Sequence, residues 1–146
     1  NVINMMRFML NAKNPYEVLE ESSKNRTMHD RYNQVESKYR HIFQKATPSG
    51  KENGKILFFQ YGGDLSISSD LSNELAYLFP EKLIVVLYLN GLKANISMRG
   101  KKARDTFLEA IKDIEGARGG GHEMAVGGQI SVEDIAKFRE NLEKGI

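Results

Sequence analysis

The sequence predicts an α/β domain, a mixed β-sheet with helices packed on it, preceded by a helical connector. Three observations carry this. Residues 1–46 show only helical periodicity, strand-type and helix-type periodicity alternate from residue 55 onward, and two strand-like runs between Lys82 and Arg99 flank Asn90-Gly91, a strong hairpin-turn dipeptide. A length of 146 residues suits one cored domain with an appendage.

In chain order, Val2, Ile3, Met6, Met9 and Leu10 share one helical face. A second helix opens at Asn14-Pro15, with Asn14 as cap, Pro15 at the first helical position and Glu17 placed for a capping box. Tyr32, Val35, Tyr39, Ile42 and Ala46 form one narrow seam on a third, long helix. That seam suits packing within its own domain, with a homodimer as the alternative. Residues 47–54, Thr47 to Gly54, break the periodicity and read as a linker, so the expected division is connector 1–46, linker 47–54 and domain 55–146.

The apolar run from Lys55 to Tyr61 fits a strand buried on both faces. Leu71, Leu75, Leu78 and Phe79 mark a helix with capping-type residues at Ser69 and Asp70 and a stop at Pro80. In the hairpin, alternation places Leu83, Val85, Leu87 and Leu89 with Leu92, Ala94, Ile96 and Met98 on a core face. Lys93, Asn95, Ser97 and Arg99 then share the other face with Ile84, Val86 and Tyr88, a polar row of the kind that usually meets solvent. Ala103, Phe107, Leu108, Ile111 and Ile114 predict another helix closed by Gly116, and a Gly-rich loop follows. Ala125 to Ile130 reads as a short strand, and Ser131 as the cap of a last helix bearing Val132, Ile135, Phe138 and Leu142.

Composition narrows the function classes. Hydrophobic residues at 40% and charged residues at 27% are ordinary for a globular protein. The absence of cysteine removes disulfides and thiolate zinc sites, and no apolar run reaches the roughly 18 residues of a membrane span, so the expected setting is cytoplasmic with no membrane partner. A net charge of +2 does not by itself indicate nucleic acid, but Lys93, Arg99, Lys101, Lys102 and Arg104 form a run without acids. His29, His41 and His122 are too far apart to read as a metal cluster, no Walker A pattern or nucleophile triad occurs, and the chain reads as non-catalytic.

Gly119-Gly120-Gly121-His122, preceded by Arg118, is the most suggestive segment. Successive glycines let backbone N–H groups converge on an anion, His122 can donate a hydrogen bond, and Arg118 has a guanidinium fork matched to phosphate. A plain flexible loop would have the same composition.

Ser97-Met98-Arg99, a helix, Gly119-Gly120-Gly121-His122, Ala125 and Gly127-Gly128 together resemble the DHH-associated C-terminal domain of RecJ-like exonucleases and oligoribonucleases, which also occurs at the end of alanyl-tRNA synthetases. The resemblance spans residues 55–146 and makes residues 1–46 the end of, or connector from, a DHH catalytic domain in cis. It implies a substrate-binding domain of a metal-dependent phosphodiesterase acting on single-stranded nucleic acid, oligonucleotides or small nucleotides. The alternative is a non-catalytic tRNA-binding tail. By resemblance Arg99 contacts phosphate or base, Ser97 holds Arg99, the Gly119, Gly120 and Gly121 backbone lines the phosphate site, and His122 donates to a phosphate oxygen. Mn2+ or Mg2+ would belong to the catalytic domain, whose Asp-His-His motif does not occur in these residues. Two departures stand out: Gly100 replaces a frequent serine and Arg118 a frequent glycine.

Overall fold

A computed structural model describes all residues, Asn1–Ile146. The chain divides into two compact units, 1–41 and 42–146, and the division falls inside one helix.

In the first unit, α1 (Val2–Asn11) and α2 (Pro15–Leu19) precede α3 (Arg26–Lys51). The Asn14 cap forms as its sequence predicts, its Oδ1 accepting from Glu17 N at 3.1 Å. The reciprocal half of the box shifts by one residue, with Glu17 Oε2 accepting from Lys13 N instead. A buried asparagine organises the turn before α3. Asn25 Nδ2 donates to Glu17, Val18 and Glu20 carbonyls while its Oδ1 accepts from Ser22 N at 2.8 Å, so a fully buried amide has partners at both ends. No residue of α1 is buried, and its apolar face is exposed.

The α3 helix overrides the expected linker, because it continues through Thr47 and Pro48 to Lys51. Proline removes one helical N–H bond. Thr47 Oγ1 donates to Phe43 O at 2.8 Å in that turn, and the helix is held further along where Gly50 lies against the Phe79 ring, too close for any Cβ.

The second unit is a five-stranded sheet in the order β1-β2-β3-β5-β4, formed by β1 (Ile56–Tyr61), β2 (Leu83–Asn90), β3 (Lys93–Arg99), β4 (Arg118–His122) and β5 (Ala125–Ser131). β1 is parallel to β2, reached through α4 (Ser68–Leu78), and every other pairing is antiparallel. The hairpin keeps the expected assignment of faces but not the register of an Asn90-Gly91 loop, which would set Val85 opposite Ile96 and Leu87 opposite Ala94: Val85 lies opposite Met98 and Leu87 opposite Ile96. Its two loop residues are Gly91 and Leu92, since Asn90 still pairs with Lys93; Gly91 takes φ 61° at the first loop position, as a type II′ turn needs. Leu92 therefore leaves the core face and is 86% exposed.

One face of the sheet is sealed by α5 (Ala103–Ile111) and α6 (Ile135–Lys144), the latter entered through a single 3-10 turn at Val132–Asp134. Phe107 and Phe138 meet edge to face at 6.1 Å over Val85, Leu87, Met98, Val126 and Ile130. Each large side chain buried there contributes about 1.5–3 kcal/mol. The opposite face is not a solvent face over β2 and β3: α4 covers it, burying Ile84, Val86, Tyr88 and Ser97 beneath Leu71, Ser72 and Leu75. β1 is an edge strand and correspondingly half-covered, with the Arg139 guanidinium 4.9 Å from the Phe58 ring centre. Neither expected serine cap forms: α4 starts after Ile67, and Ser131 makes no capping bond.

Candidate functional site

The Gly-rich segment is a strand. Arg118–His122 pairs antiparallel with β5 along its whole length and forms the sheet edge, so its exposed side retains backbone donors and acceptors without a strand partner. At alternate positions along this edge the two strands and the core beneath them approach too closely for any residue but glycine. A Cβ on Gly119 would lie 2.5 Å from Gly127 O and 2.6 Å from Gly128 Cα, a Cβ on Gly121 would run into Ala125 O, and a Cβ on Gly128 would enter the Phe107 ring. Those three glycines let the edge strand sit on the core.

Gly120 and Gly127 differ. They pair with each other, and a Cβ on either meets nothing closer than 4.0 Å. Strand alternation puts both on the α4 face, in the cross-strand row of Val86 and Ser97. α4 does not extend over this half of the sheet. The result is an open pocket of about 340 Å³ bordered by Ser68, Ser69, Ser97, Arg99, Gly120, Gly121 and Gly127.

Arg99 is fixed at its rim by two elements. Nε donates to Asn73 Oδ1 at 2.7 Å and Nη2 to Ser69 Oγ at 3.2 Å, both on α4, while Nη1 donates to Ser97 Oγ at 3.1 Å and Met98 O at 2.8 Å. Ser72 Oγ donates to Ser69 O at 3.0 Å, so Ser97 must supply the proton of the 2.8 Å Ser97–Ser72 bond and has lone pairs left for Arg99. The chain of donors thus runs one way, from Arg99 through Ser97 and Ser72 into the helix. All of these acceptors are uncharged. Partial burial pulls the Arg99 pKa below its ordinary value, and one of its five N–H groups remains unspent. A rigid cation without a counter-ion beside a side-chain-free floor has the chemistry to take an anion.

The other expected residues fall around this pocket. His122 occupies the Arg99 row by register, on the exposed end of the edge strand, and its imidazole makes no hydrogen bond within the chain. Arg118 lies on the opposite side, its Nη2 donating to Gln129 Oε1 at 2.9 Å. The basic run is dispersed: Lys93 and Arg99 sit at opposite ends of β3, Lys101 and Lys102 border a separate hollow with Lys55 and Lys82, and Arg104 contacts Asp105. Gly100 takes φ 138° with its Cα hydrogen facing Lys82 O, a conformation that a serine would adopt only under strain. Sequence reasoning missed Ser69, Ser72 and Asn73, although their i, i+3, i+4 spacing marks a polar stripe on an otherwise apolar helix. No group of three or more His, Cys, Asp or Glu side chains is placed to hold a metal ion, and no helix is long and apolar enough to cross a membrane.

Comparison with known proteins identifies the family and the fold. Residues 53–146 match the DHHA1 domain. Among solved structures, the pGpG-specific phosphodiesterase PggH from Vibrio cholerae superposes with TM-score 0.62 at 13% identity, covering 98% of this chain and 48% of that one. RecJ from Thermus thermophilus in complex with Mg2+ gives TM-score 0.58 at 16% identity, over 84% of this chain and 19% of that one. The C-Ala domain of Aquifex aeolicus alanyl-tRNA synthetase gives 0.51 at 15% identity, over 64% of this chain and 94% of that domain. No curated protein sequence matches. The chain thus spans about half of PggH and a fifth of RecJ. With the family match covering well over half of its length, the chain belongs to the DHHA1 domain family.

Proposed function

We propose that this chain holds the phosphate-bearing substrate of a RecJ-like, DHH-family phosphodiesterase, with a DHH catalytic domain in cis and single-stranded nucleic acid, an oligonucleotide or a small nucleotide as substrate. The observation that carries the reading is Arg99, held by Ser69, Asn73 and Ser97 without a counter-ion at the rim of a floor made by Gly120 and Gly127. In this reading Arg99 neutralises a phosphate, Ser97 positions Arg99, the Gly119–Gly121 edge lets the substrate backbone approach, and His122 and Arg118 flank it. Such a domain contributes orientation and charge neutralisation. A divalent ion, Mn2+ or Mg2+, would supply the activated water from the catalytic domain, and the residues present here do not form a site for it.

The test is Arg99→Ala in the full-length protein. Losing hydrogen bonds between a charged group and phosphate should lower kcat/KM on an oligonucleotide about 10- to 100-fold. An unchanged kcat/KM overturns the assignment. The match to nearly the whole C-Ala domain favours one second reading, a non-catalytic tRNA-binding tail. A full-length protein inert toward oligonucleotides, whose tRNA affinity falls on Arg99→Ala, would establish it.

A further inference from the structure

Away from the Arg99 pocket, one hollow concentrates positive charge that nothing in the chain neutralises. It has a volume of about 430 Å³ and is lined by Lys55, Lys82, Lys101 and Lys102, with Glu81 as the one acid. None of the four lysines is paired with a carboxylate. Backbone contacts hold their three segments together: Leu83 N donates to Lys55 O at 2.8 Å, and Gly100, at φ 138°, packs on Lys82 O and Leu83 Cα.

Two of the lysines stand against local preference. Lys82 is only 9% exposed, and its ammonium meets a neutral acceptor, Glu52 O, which leaves two of its three N–H groups unspent. A nearly buried cation without a counter-ion is unfavourable. Lys102 is the one non-glycine residue with positive φ, at φ 57° and ψ 23°, where glycine would be unstrained. It is also the N-cap of α5, its side chain makes no capping bond, and with Lys101 it sets two cations at the positive end of the helix dipole. The first-turn acid of α5, Asp105, is engaged by Arg104. Glycine would serve the fold better at position 102, so the lysine side chain answers to something that the hollow binds.

The position of the hollow narrows the ligand. Lys101 follows Arg99 by two residues, so their Cα atoms lie within about 7 Å of each other. Arg99 nevertheless turns to α4, whereas the hollow borders Thr106 of α5 and Gly145 at the end of α6. A single phosphate cannot occupy both sites. A polymer with repeated phosphates, crossing the end of the sheet, can.

We propose that the hollow of Lys55, Lys82, Lys101 and Lys102 is a second anion site, which takes a backbone phosphate of a single-stranded nucleic acid that also contacts Arg99. The proposal rests on the phosphate reading above and deepens it, because such a site rewards a strand over a mononucleotide or dinucleotide.

The experiment is fluorescence anisotropy on the full-length protein without divalent metal, so that nothing is cleaved. The probes are a twelve-nucleotide oligouridylate or oligothymidylate, whichever binds more tightly, and the dinucleotide of the same series. Lys101→Gln and Lys102→Gly should each weaken the twelve-mer about threefold or more and lower its slope of log affinity against log salt by about 0.7, while leaving the dinucleotide within about twofold. Lys93→Gln, at the far end of β3, controls for a general loss of positive charge and should leave both probes within about twofold. Lys102→Gly relieves the left-handed strain and should not unfold at a lower temperature than the wild type. Unaltered twelve-mer affinity in both hollow variants overturns the proposal, as do equal losses on the dinucleotide, an equal loss in Lys93→Gln, or earlier thermal unfolding of Lys102→Gly. Arg99→Ala reports separately on the first site. If it weakens both probes while the hollow variants weaken neither, the second site alone fails; if it weakens neither while the hollow variants weaken the twelve-mer, the phosphate reading fails and the hollow stands.

Discussion

The two faces of the central sheet are built from the same strands and end differently. On one, Val85, Leu87, Met98, Val126 and Ile130 are sealed by α5 and α6, with Phe107 and Phe138 at the centre. On the other, α4 covers only the β2–β3 half, and the β5–β4 half presents Gly120, Gly127 and a set of oriented polar side chains. Strand alternation makes both faces equally available for burial; the number of helices laid on each decides which becomes core and which remains open. Stability and recognition are therefore separable here to an unusual degree, and mutations should sort by face.

The largest effect belongs to the sealed face. Phe107→Ala removes a fully buried ring that also supports Gly119 and Gly128, and should cost about 3–5 kcal/mol in a denaturant titration. Gly119→Ala follows, at about 1–3 kcal/mol, because its Cβ would collide with backbone atoms of β5 that cannot yield individually. Gly120→Ala, one residue along, is the decisive contrast: its side chain enters open space, so stability should remain within about 0.5 kcal/mol while phosphate-ligand affinity falls as the floor is raised. Equal destabilisation by the two alanines would erase the distinction between the faces.

Ser97→Ala probes the junction between them. It strips a nearly buried hydroxyl from between Arg99 and Ser72, and should cost about 1–2 kcal/mol while loosening Arg99. The smallest effect expected is on salt dependence. If Arg99 neutralises one phosphate, Arg99→Ala should reduce the slope of log affinity against log salt by about one, and an unaltered slope would move the phosphate contact elsewhere.

Much of this was legible in the sequence wherever the cause is local. The hairpin and its two faces followed from alternation about a two-residue turn, although the turn itself lies one residue further on at Gly91-Leu92, and the Asn14 cap followed from its own neighbours. The motif pair of Ser97/Arg99 and Gly119–His122 pointed to the family that the match over residues 53–146 shows. The errors arise where a distant contact outweighs local preference. Residues 47–51 have the composition of a linker, yet the helix continues, and Gly50 packs directly on Phe79. Gly119–Gly121 has the composition of a loop, yet three of the glycines in β4 and β5 are required so that two strands and an aromatic ring can approach without Cβ atoms between them.

The sequence by itself determined the α/β class, the order of most elements, and Arg99 with the glycine segment as the residues of interest. Only the tertiary structure decided which glycines are structural and which leave space, that Ser69, Ser72 and Asn73 lie against Arg99 and Ser97 from 25 to 30 residues away, and that Arg118 orients two amides across three strands. The physical reason is range. Periodicity and capping are properties of neighbouring residues, whereas a hydrogen-bond direction or a missing Cβ has meaning only against the atoms that the fold brings opposite.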